Sequence, residues 1–149
     1  MSQSQKQLPI AAHRTQILFA LEKYGVVIIV GETGCGKSTM LPRYLYENGW
    51  ADDNDGAYRE IICTQPRRIA AITLANRVSQ ELQDSERVCR EAAIDNRQTG
   101  IVGYSVRFSS TYNPGTTKIR YVTDGWLLRE TLLLDPLLRR CSCLLYTSP

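Results

Sequence analysis

Residues 26–38 read Val26-Val27-Ile28-Ile29-Val30-Gly31-Glu32-Thr33-Gly34-Cys35-Gly36-Lys37-Ser38: an uncharged β-branched run, then a glycine-rich turn, then a helical pattern. Such a run predicts a strand buried on both faces of a parallel sheet, ended by Gly31. Gly31 to Ser38 satisfies GxxxxGK[ST] between a strand and a helix, the context in which that motif carries meaning. The glycines let backbone N–H groups turn inward around a polyphosphate. Lys37 reaches the outer phosphates, and the Ser38 hydroxyl is suited to Mg²⁺. Cys35 fills a small-residue slot in the loop, a simpler account than redox chemistry.

Outward from this loop, Pro9 opens an amphipathic helix to about Tyr24, with Ile10, Ile17, Leu18 and Leu21 at helical spacing. The helix after the loop runs from near Gly36 to Glu47 and stops at Asn48-Gly49. The acidic stretch Ala51 to Tyr58 is a turn, followed by a short strand Glu60 to Thr64 and a helix Arg68 to Gln83. Asp84 to Gly100 has no firm period beyond one turn of helix around Glu91 to Ile94. Strands Ile101 to Arg107 and Lys118 to Thr123 flank a loop turning at Asn113-Pro114-Gly115, and a helix covers Asp124 to Leu134. This alternation predicts one α/β domain with a mainly parallel sheet flanked by helices.

The 149 residues suffice for one core, and 43% hydrophobic and 22% charged residues are ordinary globular values. The longest apolar run, Val26 to Val30, is far short of the roughly 20 residues that span a bilayer, and MSQSQKQLPI has no apolar signal region. Five cysteines without CxxC spacing and a single His13 argue for a reducing compartment and against zinc. The net charge of +3 is mild, but fourteen of the eighteen cations are Arg, the side chain suited to forked contact with phosphate.

Thr64-Gln65-Pro66-Arg67-Arg68 leaves the end of a strand, where open sheets of this class place ligands, and puts two guanidiniums at a helix start. Cations there oppose the helix dipole, a conflict that a bound anion relieves; a solvated Arg pair is the alternative. Thr123-Asp124-Gly125 makes a second strand-to-helix turn, at which Thr123 or Asp124 suits a helix cap. In Gly103-Tyr104-Ser105-Val106-Arg107-Phe108, the even spacing of Tyr104 and Phe108 predicts packing of both on one strand face, with stacking on a base as the alternative.

GETGCGKST, TQPRR, VGYSVRF and TDGWLLRE, in this order, resemble the first RecA-like domain of DEAH-box RNA helicases, especially those of pre-mRNA splicing. The resemblance covers Leu8 to about Arg140. It implies an ATP-dependent RNA helicase, unwinding RNA or remodelling ribonucleoprotein, with ATP and Mg²⁺ as cofactors. The nucleotide cradle is then Gly31, Glu32, Thr33, Gly34, Cys35, Gly36, Lys37, Ser38 and Thr39, with Arg77 stacked on the adenine. Lys37 and Ser38 serve catalysis, and Ser38 holds the metal. Arg67, Arg68 and Thr123 grip the backbone of single-stranded RNA. The resemblance also implies a nuclear location, ribonucleoprotein partners, an activating partner protein and no membrane. Trp126 stands where the family usually has Met.

Where the family reads Asp-Glu-Ala-His, this chain has Thr147 and Ser148 in place of the two carboxylates. Neutral hydroxyls replace neither the metal-holding charge nor the water-orienting base, so the chain as written is expected to be inactive in hydrolysis. The predicted organisation is a disordered 1–7, a partial ATP-binding domain over 8–142 and a non-native tail over 143–149, with the strand that begins at Cys141 expected to be central in the parallel sheet. The competing reading is a stand-alone, non-catalytic nucleotide- or RNA-binding module.

Overall fold

A computed structural model describes residues 8–52, 57–89 and 100–146. A 3-10 turn Pro9–His13 leads into α1 (Arg14–Lys23), followed by α2 (Lys37–Glu47), β1 (Glu60–Gln65) and α3 (Arg68–Cys89). Then come β2 (Val102–Val106), β3 (Ser109–Ser110), β4 (Ile119–Thr123), α4 (Asp124–Leu133) and β5 (Cys141–Leu145). The sheet order is β3-β2-β4-β1-β5, with all neighbours parallel except the short β2–β3 hairpin. The mainly parallel α/β class expected from the alternation of elements is therefore the class observed.

Strand alternation sorts the side chains of β1 to two faces. Ile61 and Cys63 join Ile119, Tyr121 and Val106 in a core closed by Leu45 of α2 and by Ala71, Ala75, Val78 and Leu82 of α3. Ile10, Met40, Leu41 and Tyr44 form a second cluster beneath the 3-10 turn. α3 runs six residues past the expected Gln83, to Cys89, because helical hydrogen bonding propagates through the polar stretch Asp84 to Arg87 once the helix is formed. The predicted turn around Glu91 to Ile94 lies outside the described residues, as do 1–7 and 147–149. Of the expected tail, Cys143, Leu144 and Leu145 pair with Ile61, Ile62 and Cys63 of β1.

Two expectations about the sheet are corrected. Val26 to Val30 is no buried strand: among the described residues it pairs with nothing, and Val26, Ile28 and Val30 are 84, 86 and 92% exposed. The strand from Cys141, expected to be central, is the sheet edge beside β1. One cause serves both: a strand needs a ladder partner as well as propensity, and the run and β5 do not pair with each other. Ile29 and Leu145 nevertheless both pack on the Ile10–Tyr44 cluster. A further correction concerns Phe108. Tyr104 packs on the core, but Phe108 is 86% exposed at φ 66°. Val106 pairs with Ser109, so Arg107 and Phe108 are the two-residue loop of a hairpin and strand parity no longer applies.

Candidate phosphate and nucleic-acid site

The phosphate loop takes its shape from two left-handed glycines, Gly34 at φ 85° and Gly36 at φ 101°. A Cβ at Gly36 would lie 3.0 Å from Ile10 Cγ2, 3.1 Å from Leu8 Cδ1 and 3.2 Å from Met40 Cγ, so the second glycine is also required by packing. Gly36 is the N-cap of α2, and no side chain caps it, which leaves the first amides of the helix to a ligand. Lys37 Nζ donates to the carbonyls of Gly31 (2.6 Å) and Glu32 (2.8 Å) and lies 3.4 Å from Cys35 Sγ. The ammonium is thus curled onto its own loop, held by neutral acceptors that a phosphate oxygen outbids through charge. Cys35 Sγ sits 3.1 Å from where a Gly31 Cβ would stand, which accords with a small-residue slot. Thr39 Oγ1 donates to Gly36 O, and Glu32 and Thr33 are exposed on the loop. The loop borders a cavity of about 550 Å³ lined by Ile10, His13, Val30, Gly31, Glu32 and Lys37, among others.

The loop helix is fastened to the sheet at one point that sequence reasoning missed. Pro42 lies inside α2 and lacks the N–H that would bond to Ser38 O, four residues back. Tyr121 of β4 supplies the missing donor, its hydroxyl 2.6 Å from Ser38 O. The signal was present in the sequence, since an interior proline always leaves one helical carbonyl in need of a donor.

Arg67, Arg68 and Thr123 come together at the C-terminal edge of the parallel strands. Gln65 is registered with Thr123, so the chain leaves β1 and β4 side by side into two helix starts. Arg67 and Arg68 are exposed. Thr123 is the N-cap of α4 but makes no capping hydrogen bond with its side chain, so its hydroxyl is not spent on the helix. Ser105 of β2 pairs with Val122, which carries the hairpin tip to the same edge. There Arg107 lies over the exposed Phe108 ring, 4.8 Å from its centre, a cation and an aromatic face on the same edge as the arginine pair with β4 between them. Arg77 stands apart from this group on α3, its Nε 2.9 Å from Glu81 Oε1.

At the opposite, N-terminal end of the strands, Glu60 and Arg120 form a buried pair, Nη2 to Oε1 at 2.6 Å. Burial pushes Glu60 up to about 7 despite the attraction of Arg120, with Glu130 adding to the rise. Glu60 Oε2 and Arg120 Nε are buried without a hydrogen-bond partner, and a cavity of about 740 Å³ adjoins both residues. Among the described residues no group of His, Cys, Asp or Glu has the makings of a metal centre, and no helix is long and apolar enough to cross a membrane.

The chain is similar to segments of long helicases. The chain is 43% identical over 145 residues to a "Probable ATP-dependent RNA helicase DHX35 homolog" of Caenorhabditis elegans. It is 41% identical over 145 residues to human "Probable ATP-dependent RNA helicase DHX35" and to "Pre-mRNA-splicing factor ATP-dependent RNA helicase DEAH10" of Arabidopsis thaliana. These alignments take in 97% of this chain. Over nearly its whole length the chain is thus similar to a segment of these ATP-dependent RNA helicases. No family model matches it. It spans 17–18% of the length of these relatives, so the aligned helicase segment is a small part of each.

Proposed function

We propose that residues 8–142 are the first RecA-like, ATP-binding part of an ATP-dependent RNA helicase that acts in pre-mRNA splicing in the nucleus. The observation that carries this reading is the phosphate loop, Gly31 to Ser38, with left-handed Gly34 and Gly36 opening an α2 that no side chain caps. The names of the relatives favour it over a stand-alone binding module.

In this reading the residues from Gly31 to Thr39 cradle the phosphates of ATP. Lys37 exchanges its bonds to Gly31 O and Glu32 O for an outer phosphate. Ser38 stands in the first turn of α2, where its hydroxyl suits Mg²⁺, which when bound neutralises charge on the phosphates. Arg77 exchanges Glu81 for the adenine face, as a planar guanidinium does without reading a base pattern. Arg67, Arg68 and the unspent Thr123 hydroxyl hold the phosphates of single-stranded RNA, and Arg107 with Phe108 adds a cation and a stacking face. Residues 143–149 are taken as non-native, and with Thr147 and Ser148 at the carboxylate positions this chain binds nucleotide without turning it over.

The RNA part is tested by titrating single-stranded oligouridine into the chain at several salt concentrations. Changing Arg67 and Arg68 together to Ala is expected to weaken binding across sequences and lower the log–log salt slope by about 1.4, at roughly 0.7 per phosphate contact. An unchanged slope, or a loss confined to one RNA sequence, refutes the assignment.

A further inference from the structure

The geometry points to Trp126 as a positioning residue for the RNA-facing turn at Thr123, acting through the guanidinium of Arg120; this inference rests on the RNA-binding reading above. α4 lies against the sheet without burying a single side chain fully, and Leu128, Leu132 and Leu133 face outward. A helix so lightly packed needs an anchor if its first turn is to hold a fixed position. Trp126, three residues after Thr123, supplies one. The Arg120 guanidinium lies 4.4 Å from the Trp126 ring centre and 3.9 Å from that of Tyr112, in contact with both rings. Arg120 is 5% exposed and is held in turn by Glu60, which is 2% exposed. A planar cation against two rings is held more strongly once desolvated, and its flatness restricts the orientation of the rings it touches.

The stack joins the elements that matter for RNA. Glu60 begins β1, and the other end of β1 runs into Arg67 and Arg68. Arg120 lies three residues before Thr123 on β4. Trp126 closes the circuit from the helix that Thr123 starts. The ring acts at a distance from RNA by fixing where Thr123 stands, and it touches no RNA itself.

The test compares Trp126→Phe, Trp126→Leu and Arg120→Lys in the 149-residue chain. The readouts are oligouridine affinity, ADP·Mg²⁺ affinity, and the emission of Trp126 in a Trp50→Phe background. Trp126→Phe keeps a ring face and is expected to stay within about twofold of the parent for RNA. Trp126→Leu keeps apolar bulk without a ring, and Arg120→Lys keeps the charge without a plane. Both are expected to lose about tenfold in RNA affinity with ADP·Mg²⁺ affinity unchanged. Arg120→Lys is also expected to shift the Trp126 emission. If Trp126→Leu binds RNA like the parent, Trp126 is a simple apolar plug and the inference fails while the RNA reading stands. Loss of RNA and ADP affinity together, for both Trp126→Leu and Arg120→Lys, marks a general folding role and also overturns it. If the parent chain binds no oligouridine, or Arg67 and Arg68 prove irrelevant to binding, the RNA reading fails and this inference falls with it.

Discussion

At the scale of single residues, Pro42 and Tyr121 form a matched pair: one removes a donor from Ser38 O and the other restores it from across the sheet. Tyr121→Phe leaves that carbonyl without a partner, at an expected cost of about 1–2 kcal/mol in urea denaturation. In a Pro42→Ala background the new amide serves Ser38, so the same Tyr121→Phe change is expected to cost less, and equal costs in both backgrounds contradict the pairing. Glu60 makes a second prediction. Burial raises it from 4.5 to about 7 against the pull of Arg120. Between those values the folded state keeps a proton that the unfolded state has released. The contribution of Glu60 is therefore complete below about pH 4.5 and lost as pH rises through about 7, a swing of about 3 kcal/mol. Relative to the parent, Glu60→Gln is expected to lose this downward component, so the difference in Tm between variant and parent should grow in favour of the variant from pH 5 to pH 8. A constant difference refutes it.

At the scale of elements, the turns were legible because their chemistry is local. Gly31 to Ser38, Gln65 to Arg68 and Thr123 to Gly125 each declare a strand end and a helix start within a few residues; all three helix starts are found there, and the strand ends at Gln65 and Thr123 with them, while among the described residues no strand precedes Gly31. Partnership was not legible. Nothing within Val26 to Val30 states which strand lies beside it, so a run with full β propensity stands unpaired among the described residues, and β5 is an edge. Phe108 was assigned to the core for a related reason, since a two-residue hairpin loop interrupts the alternation on which that assignment rested. The run offers a direct contrast. Ile28→Thr, at an exposed site, is expected to change stability by less than about 0.5 kcal/mol, whereas Ile61→Ala in the core costs about 2–5 kcal/mol. A loss at Ile28 as large as that at Ile61 would mean that the run is buried after all.

At the scale of the whole molecule, the sheet separates its tasks. The C-terminal edge gathers Arg67, Arg68, Thr123, Arg107 and Phe108, while the N-terminal end holds the Glu60–Arg120 pair that braces β1 and β4. The phosphate loop leads into α2, tied to β4 by the Tyr121 hydroxyl, so the proposed nucleotide and RNA contacts share one strand. Everything in this arrangement depends on the loop being a nucleotide site. Titration of ADP with Mg²⁺ into the chain and into Lys37→Ala, with matched thermal melts as the folding control, tests that most directly. The account predicts binding by the parent and a loss of at least about tenfold in the variant, in line with about 1.5–3 kcal/mol for a hydrogen bond to a charged group. Equal affinity in parent and variant would contradict it.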